Sequence, residues 1–464
     1  MVFPSIEFAI FFPLVLAASW ALMPWPRFWK PFILVASYGF YAAASPRYCL
    51  LLAGVTLANQ LGAVLVFRTS DERRRRWIVG LTVAFDLAVL GVFKYYGFFA
   101  DEIGGFLDGI GLGLSPPLLT LALPIGLSFI VFQAISYTVD VKRGLLEPGS
   151  TLDVAIYLSF FPHVVAGPIV RAREFLPQLR TPRDPRNVAV GAGVVLIMLG
   201  LIKKVALADL LAREIVDPVF GVPQAYAAPD VALAAYAYAA QIYCDFSGYT
   251  DIAIGVALLC GFVFPQNFNS PYRAASFGEF WRRWHVTLSR FLRDFLYIPL
   301  GGNRGGRWRT ARNLMITMVL GGLWHGAAWG FVLWGTVHGV GLVVEHQLRG
   351  SRLRAPAWIR WLIVFNVVVF AWVLFRAESL TLAGDFLGQL LVGGPATLWT
   401  VPVVGAVLVV IGFQLLPPDP LERLRTSVAN IPAPALGVAL ALVIALVGAT
   451  VPSQGVPPFI YFQF

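Results

Sequence analysis

Apolar runs of bilayer-spanning length recur along almost the whole chain, and no other feature limits its folding more. They fall at about 6–23, 29–46, 48–67, 77–98, 118–140, 188–208, 230–247, 248–264, 313–346, 358–376, 400–416 and 433–451. Most approach the roughly 20 residues a helix needs to cross hydrocarbon. The 313–346 run is long enough for two segments. Hydrophobic residues make up 58% of the 464, more apolar surface than a soluble domain of this length needs. The expectation is an all-α polytopic integral membrane protein with about 11–13 spans. No polar linker is long enough to separate two domains. Residues 1–464 therefore read as one transmembrane domain, with a functional core at about 241–346.

The formal net charge is +10. Lys and Arg cluster in short loops between apolar runs, which is positive-inside bias rather than a nucleic-acid footprint. A phosphate-bearing ligand near the densest Arg cluster stays open. Arg27 and Lys30 follow the first run, and Arg68, Arg73, Arg74, Arg75 and Arg76 follow the third. Loop 99–117 holds Asp101, Glu102 and Asp108 but no Lys or Arg. These loops place the N-terminus outside and loops one and three in the cytoplasm. The first run has Glu7 ahead of it and no basic n-region, so it reads as a span rather than a signal peptide.

Orientation then meets a conflict. Lys142 and Arg143 lie on one side of the apolar stretch 153–170, and Arg171, Arg173, Arg180, Arg183 and Arg186 on the other. One crossing cannot leave both ends in the cytoplasm. Pro162, Gly167 and Pro168 also interrupt the stretch. It is expected to be re-entrant or a bent hairpin, buried where protein satisfies the freed backbone groups.

Two histidines stand out. His325 lies in GLWHG, inside an apolar run. An ionisable residue at membrane depth is a functional hypothesis by default. Burial favours neutral imidazole, which can serve as a general base on a hydroxyl; the alternative is a histidine bonding across helices. His285 lies in the 279–297 stretch. There Trp281, Trp284, Leu288, Phe291, Leu292 and Phe295 share one helical face, and Arg282, Arg283, Ser289, Arg290, Arg293 and Asp294 take the other. Such a helix would lie at an interface, with His285 at its seam. His285 could orient a substrate, stabilise an oxyanion or bind a phosphate; the plain reading is an interfacial histidine. Arg282, Arg283, Ser289, Trp324 and Asp245 are the candidate substrate contacts around the pair. His163 sits in the broken segment, His338 on the later apolar run, and His346 beside Glu345 at an expected helix end.

Asp245 and Asp251, in YCDFSGYTD, need partners at such depth. They fit a proton relay in a transporter or a structural role at a helix break near Ser247 and Gly248. Cys49, Cys244 and Cys260 suggest neither a disulfide framework nor a metal site. A nucleophilic Cys244 would need a base beside it. There is no phosphate-binding Walker loop, no HExxH and no Gly-x-Ser-x-Gly elbow.

Several stretches together resemble the membrane-bound O-acyltransferase family, in its bacterial branch of alginate O-acetyltransferases, with the teichoic-acid D-alanyl transfer proteins more distant. They are 94–99 (KYYGFF), 123–144 (LPIGLSFIVFQAISYTVDVKRG), 160–171 (FFPHVVAGPIVR), 200–209, 243–302 with RRWHVTLSRFLRDFLYIPLGG, 321–326 (GLWHG within GGLWHG) and 459–464. The resemblance implies a funnel-shaped bundle with re-entrant and interfacial helices and a tunnel through the membrane. It also implies two functional histidines, which fall on His285 and His325. In the wider family the first of these positions is often Asn. No resident cofactor is implied. The donor would be acetyl-coenzyme A, a thioester whose phosphates suit the Arg cluster of residues 282–312. Acceptance would occur outside, where a periplasmic partner protein passes the acyl group to an exported polysaccharide. Other readings are a transporter or flippase for a glycan or lipid, and an acyltransferase fed by an acyl-carrier protein.

Overall fold

The computed structural model describes residues 1–450 except 2, 4, 113–121, 166, 182, 349–354, 418–426 and 428–430. The closing aromatic tail at 459–464 and part of the 118–140 run lie outside the described residues. Every regular element among the described residues is helical, with no strand. This is the expected outcome where backbone polar groups must bond within their own segment. Among the described residues, four helices are long and apolar enough to cross a membrane by themselves: Tyr48–Arg68, Glu72–Gly109, Ala228–Leu259 and Ala357–Arg376. Ile6–Leu22 and Val401–Leu415 are apolar but shorter. Leu127–Lys142 needs no apolar surface for lipid, because nearly all its side chains are buried in protein.

The contacts sort the chain into two compact units. The first comprises residues 1–189 and 256–264. Here the Tyr48–Arg68 helix turns Leu57, Leu61 and Leu65 outward while burying Asn59 and Gln60. Polar groups inside and leucines outside are what a lipid solvent selects, since apolar burial gains little there and hydrogen bonds gain more. Asn59 donates to Asp86 Oδ1 at 2.8 Å and accepts from Thr138 at 2.9 Å. Tyr137 donates to Gln60 Oε1 at 2.7 Å.

The 153–170 stretch is broken as expected. A nine-residue helix, Thr151–Ser159, is capped by the Ser150 hydroxyl. It reaches about 13 Å, under half the hydrocarbon thickness. A non-helical passage follows, and then the amphipathic helix Ala172–Arg180, which buries Phe175, Leu176 and Leu179. Buried carbonyls around the break find partners in the protein. Tyr157 donates its hydroxyl to the Val170 carbonyl at 2.9 Å, and the His163 ring meets the Tyr157 carbonyl at 2.8 Å. His163 is fully buried among Tyr157, Phe160, Phe175 and Phe264.

The second unit comprises residues 190–255 and 265–464. Most of Ala228–Leu259 falls in it; this is one helix of 32 residues, where the hydropathy reading cuts two spans at 247/248. Gly248 is not a break. A side chain there would put its Cβ 2.8 Å from the Gly200 carbonyl oxygen, so glycine serves close helix approach. The facing segment widens into two five-residue-step turns, Ile202–Ala208 and Ala212–Val216. Adjacent lysines diverge by about 100° on a regular helix. Here both reach the same neighbour. Lys203 pairs with Asp251 at 2.6 Å, and Lys204 pairs with Asp245 at 2.6 Å and Asp209 at 2.8 Å. The 313–346 run resolves into two helices, Arg307–His325 and Trp329–Gln347. Gly322 and Gly335 sit against the backbone carbonyls of Phe331 and Met318, where a Cβ would collide.

Candidate functional site

The stretch expected as one amphipathic helix over 279–297 is interrupted at its histidine. Phe277–Arg283 is one short helix, Val286–Leu292 a second, and Arg293–Tyr297 a wide final turn. Between them His285 adopts φ 42° and ψ 55°. Ser270 is the other non-glycine residue with positive φ among the described residues. A left-handed non-glycine residue persists only where its surroundings over-determine it. The cause is Asn267. Its carbonyl accepts from the Val286 amide at 2.9 Å. Its side-chain Oδ1 accepts from the Thr287 amide at 3.2 Å and the Thr287 hydroxyl at 2.9 Å. Those amides are the orphan donors that begin any helix, and the His285 side chain does not cap them.

His285 therefore does not lie at a solvent seam. It is fully buried, with its ring edge-on to Phe246 at 4.7 Å and near Phe268 at 6.4 Å. Its Nδ1 contacts Asn267 Oδ1 at 3.1 Å. Burial drives its pKa well below the usual value, to about 3, because a charged ring has no water there. The polar and apolar halves of the wheel do hold: Trp281, Leu288, Phe291 and Leu292 are buried, and Arg282, Arg290 and Arg293 are exposed.

His325 ends the Arg307–His325 helix, and Gly326 leaves it in extended backbone. The imidazole is buried, with ring centroids 5.0 Å from Trp324, 5.1 Å from Trp334 and 5.3 Å from Phe375. Trp324 also meets His285, at 6.1 Å. The two histidines, 40 positions apart in sequence, thus share one indole as a wall. This arrangement holds two imidazoles in an aromatic, low-dielectric enclosure, where a neutral base and a developing charge interact more strongly than in water.

The other candidates distribute unevenly. Trp324 joins the pair. Ser289 donates to the Trp284 carbonyl at 3.3 Å. Arg283 is bound to Glu279 at 2.9 Å and the Asn269 carbonyl at 3.1 Å, while Arg282 is exposed. Asp245 belongs to the lysine–aspartate cluster already described. His338 is fully buried against Phe280, Trp281 and Trp334, and neither of its ring nitrogens has a hydrogen-bond partner among the described residues. His346 is half-buried in the last turn of its helix. Cys244 and Cys260 are buried free thiols. Sequence reasoning passed over Asn267 and Phe375. Asn267 lies in QNFNSPY, a polar interruption between two apolar blocks, which was the available signal.

Comparison with known proteins bears on what this enclosure does. The model of the membrane-bound O-acyltransferase family matches residues 119–383. The chain is 39% identical to the probable alginate O-acetylase AlgI of Azotobacter vinelandii, with all of both chains covered. It is 36% identical to the peptidoglycan O-acetyltransferase of Helicobacter pylori, over 76% of this chain and 72% of that one. A teichoic acid D-alanyltransferase of Streptococcus thermophilus is 30% identical over 51% of this chain and 57% of its own. The matched region contains Asn267, His285, Trp324 and His325. By this match, and by full-length similarity at that identity, the chain belongs to the membrane-bound O-acyltransferase family.

Proposed function

We propose that this chain moves acetyl groups from a cytoplasmic thioester to hydroxyl groups of an exported polysaccharide, and that acetyl-coenzyme A is the donor. The observation that carries this reading is the pair of buried imidazoles on one indole, at 5.0 and 6.1 Å, in a family of acyltransferases. Similarity to proteins named for O-acetylation of alginate and peptidoglycan supports a polysaccharide acceptor. In the reaction, His325 takes the proton of the attacking hydroxyl as its oxygen bonds to the thioester carbonyl carbon. The tetrahedral intermediate collapses, the carbon–sulfur bond breaks, and the leaving thiolate recovers the proton. The exposed Arg282 and the arginines that follow it to Arg312 suit the donor's phosphates at the cytoplasmic surface. The protein sits in a bacterial inner membrane with its N-terminus outside. A periplasmic partner carries the acetyl group onward.

The test is direct. Purified protein in lipid nanodiscs is given acetyl-coenzyme A labelled in the acetyl group, an acceptor polysaccharide and a periplasmic extract to supply the partner, with free thiol and acetylated product measured. Transfer is expected, with a loss of about 10²–10⁴-fold in His325→Ala. Turnover of carrier-protein thioesters alone would replace the donor. Proton-coupled glycan uptake into liposomes without thioester cleavage would replace the reaction class.

A further inference from the structure

The hydrogen bonds around Asn267 decide which nitrogen of His285 carries the proton. The Thr287 backbone amide can only donate, and it lies 3.2 Å from one terminal atom of the Asn267 side chain. That atom is therefore the carbonyl oxygen, and the amide cannot be flipped. The same oxygen lies 3.1 Å from His285 Nδ1. An oxygen without a hydrogen accepts, so Nδ1 must bear one. His285 and Asn267 are both fully buried, and a neutral ring carries a single N–H. Its Nε2 then holds a lone pair.

The backbone makes this arrangement rigid. The Asn269 amide donates to the Arg283 carbonyl at 2.9 Å, and the Val286 amide to the Asn267 carbonyl at 2.9 Å. Two chain segments are clamped on either side of the left-handed His285. Thr287 adds its hydroxyl to Asn267 Oδ1 at 2.9 Å. Three donors on one oxygen hold the amide in a single orientation. The geometry points to Asn267 as a positioning residue that locks His285 in the Nδ1–H tautomer, so that Nε2 accepts a hydrogen bond from an O–H or N–H of the substrate and donates none. This rests on the proposed acyl transfer, and it removes one role expected for His285. An oxyanion needs a donor, and Nε2 in this tautomer is an acceptor. Oxyanion stabilisation falls to other N–H groups, and His285 is left to hold a hydroxyl or an amide in line for reaction.

Nitrogen-15 NMR of the wild-type protein, labelled at histidine in nanodiscs, tests this without substrate. The His285 signal is assigned by its loss in His285→Gln among the five histidines. The expected result is a protonated, pyrrole-type Nδ1 and a pyridine-type Nε2. The reverse pattern in the wild type overturns the proposal. Asn267→Leu is expected to move the two shifts toward a mixture of tautomers and to lower acetyl turnover about 100-fold. Asn267→Asp, which keeps an acceptor at the same place, is expected to keep the wild-type pattern and restore most of the turnover. An unchanged tautomer in a folded Asn267→Leu protein also overturns it. If that variant does not fold, the wild-type spectrum alone decides. Should the tautomer be as stated while no acetyl is transferred, the functional reading fails and the assignment of Asn267 as the tautomer lock stands.

Discussion

Burial sets the charge state of His285 before any substrate arrives. Its pKa falls from 6.5 to about 3 because desolvation opposes the charged ring. A histidine lowered in this way favours the fold when neutral. Its contribution is complete above pH 6.5 and is lost as pH falls toward 3. Unfolding midpoints at pH 7.5 and 4.5 should therefore drop further in the wild type than in His285→Gln. The difference is about 3 kcal/mol, from the two pH units between 6.5 and 4.5 at about 1.4 kcal/mol each. Equal drops would mean that His285 is hydrated. At this scale the two histidines were legible as candidates, since an ionisable residue within an apolar or aromatic run is costly to place there. Asn267 was not. An asparagine between two apolar blocks carries no periodic signal, and its partners are 18 and 20 residues away. The left-handed turn at His285 was hidden for the same reason. It is imposed by bonds from a distant segment, whereas the local pattern of Trp281, Trp284 and Leu288 continues as though one helix ran through.

Close glycine approaches and buried ion pairs join several elements in this protein. On the Ala228–Leu259 helix, Gly248 faces the Gly200 carbonyl, and an added Cβ would stand 2.8 Å from that oxygen and 3.0 Å from the Lys203 Cβ. Gly80, on the Glu72–Leu90 helix, has nothing within 4 Å of such an atom. Gly248→Ala should therefore destabilise by about 1–3 kcal/mol, whereas Gly80→Ala should be neutral or raise stability by up to about 1 kcal/mol through helix propensity. Thermal unfolding in detergent compares them, and equal shifts would dispose of the close-approach argument. Hydropathy found this helix but cut it in two, because Asp245, Ser247, Gly248 and Asp251 depress any local average. Their pairing with Lys203 and Lys204 restores the continuity, and no average over one segment contains that information. The 153–170 break was legible from the opposite cause. Pro162, Gly167, Pro168 and flanking cations all contradict a straight crossing, and independent contradictions at one place are a signal.

For the whole molecule, the distribution of charge outranks the distribution of apolar side chains. Exposed leucines, valines and tryptophans occur along most helices, as lipid contact demands, so they say where the bilayer is and not which way the chain enters it. The loops supply direction. Arg27 and Lys30 follow the Ile6–Leu22 helix, and Arg68 and Arg73 to Arg76 surround the turn before Glu72–Gly109. In the proposed orientation each of these cations gains about 1 kcal/mol from anionic lipid at the cytoplasmic surface. Ser70 is exposed in that turn, and Glu7 is exposed at the other end of the first helices. In a Cys49→Ser background, Glu7→Cys should react with an impermeant maleimide added outside spheroplasts. Ser70→Cys should react only after the membrane is opened. Cys244 and Cys260 are buried and should contribute little label in either case. Reversed labelling would overturn the orientation read from these loops. The paired histidines would keep their geometry in either orientation, so this experiment tests the direction of insertion apart from the chemistry proposed for them.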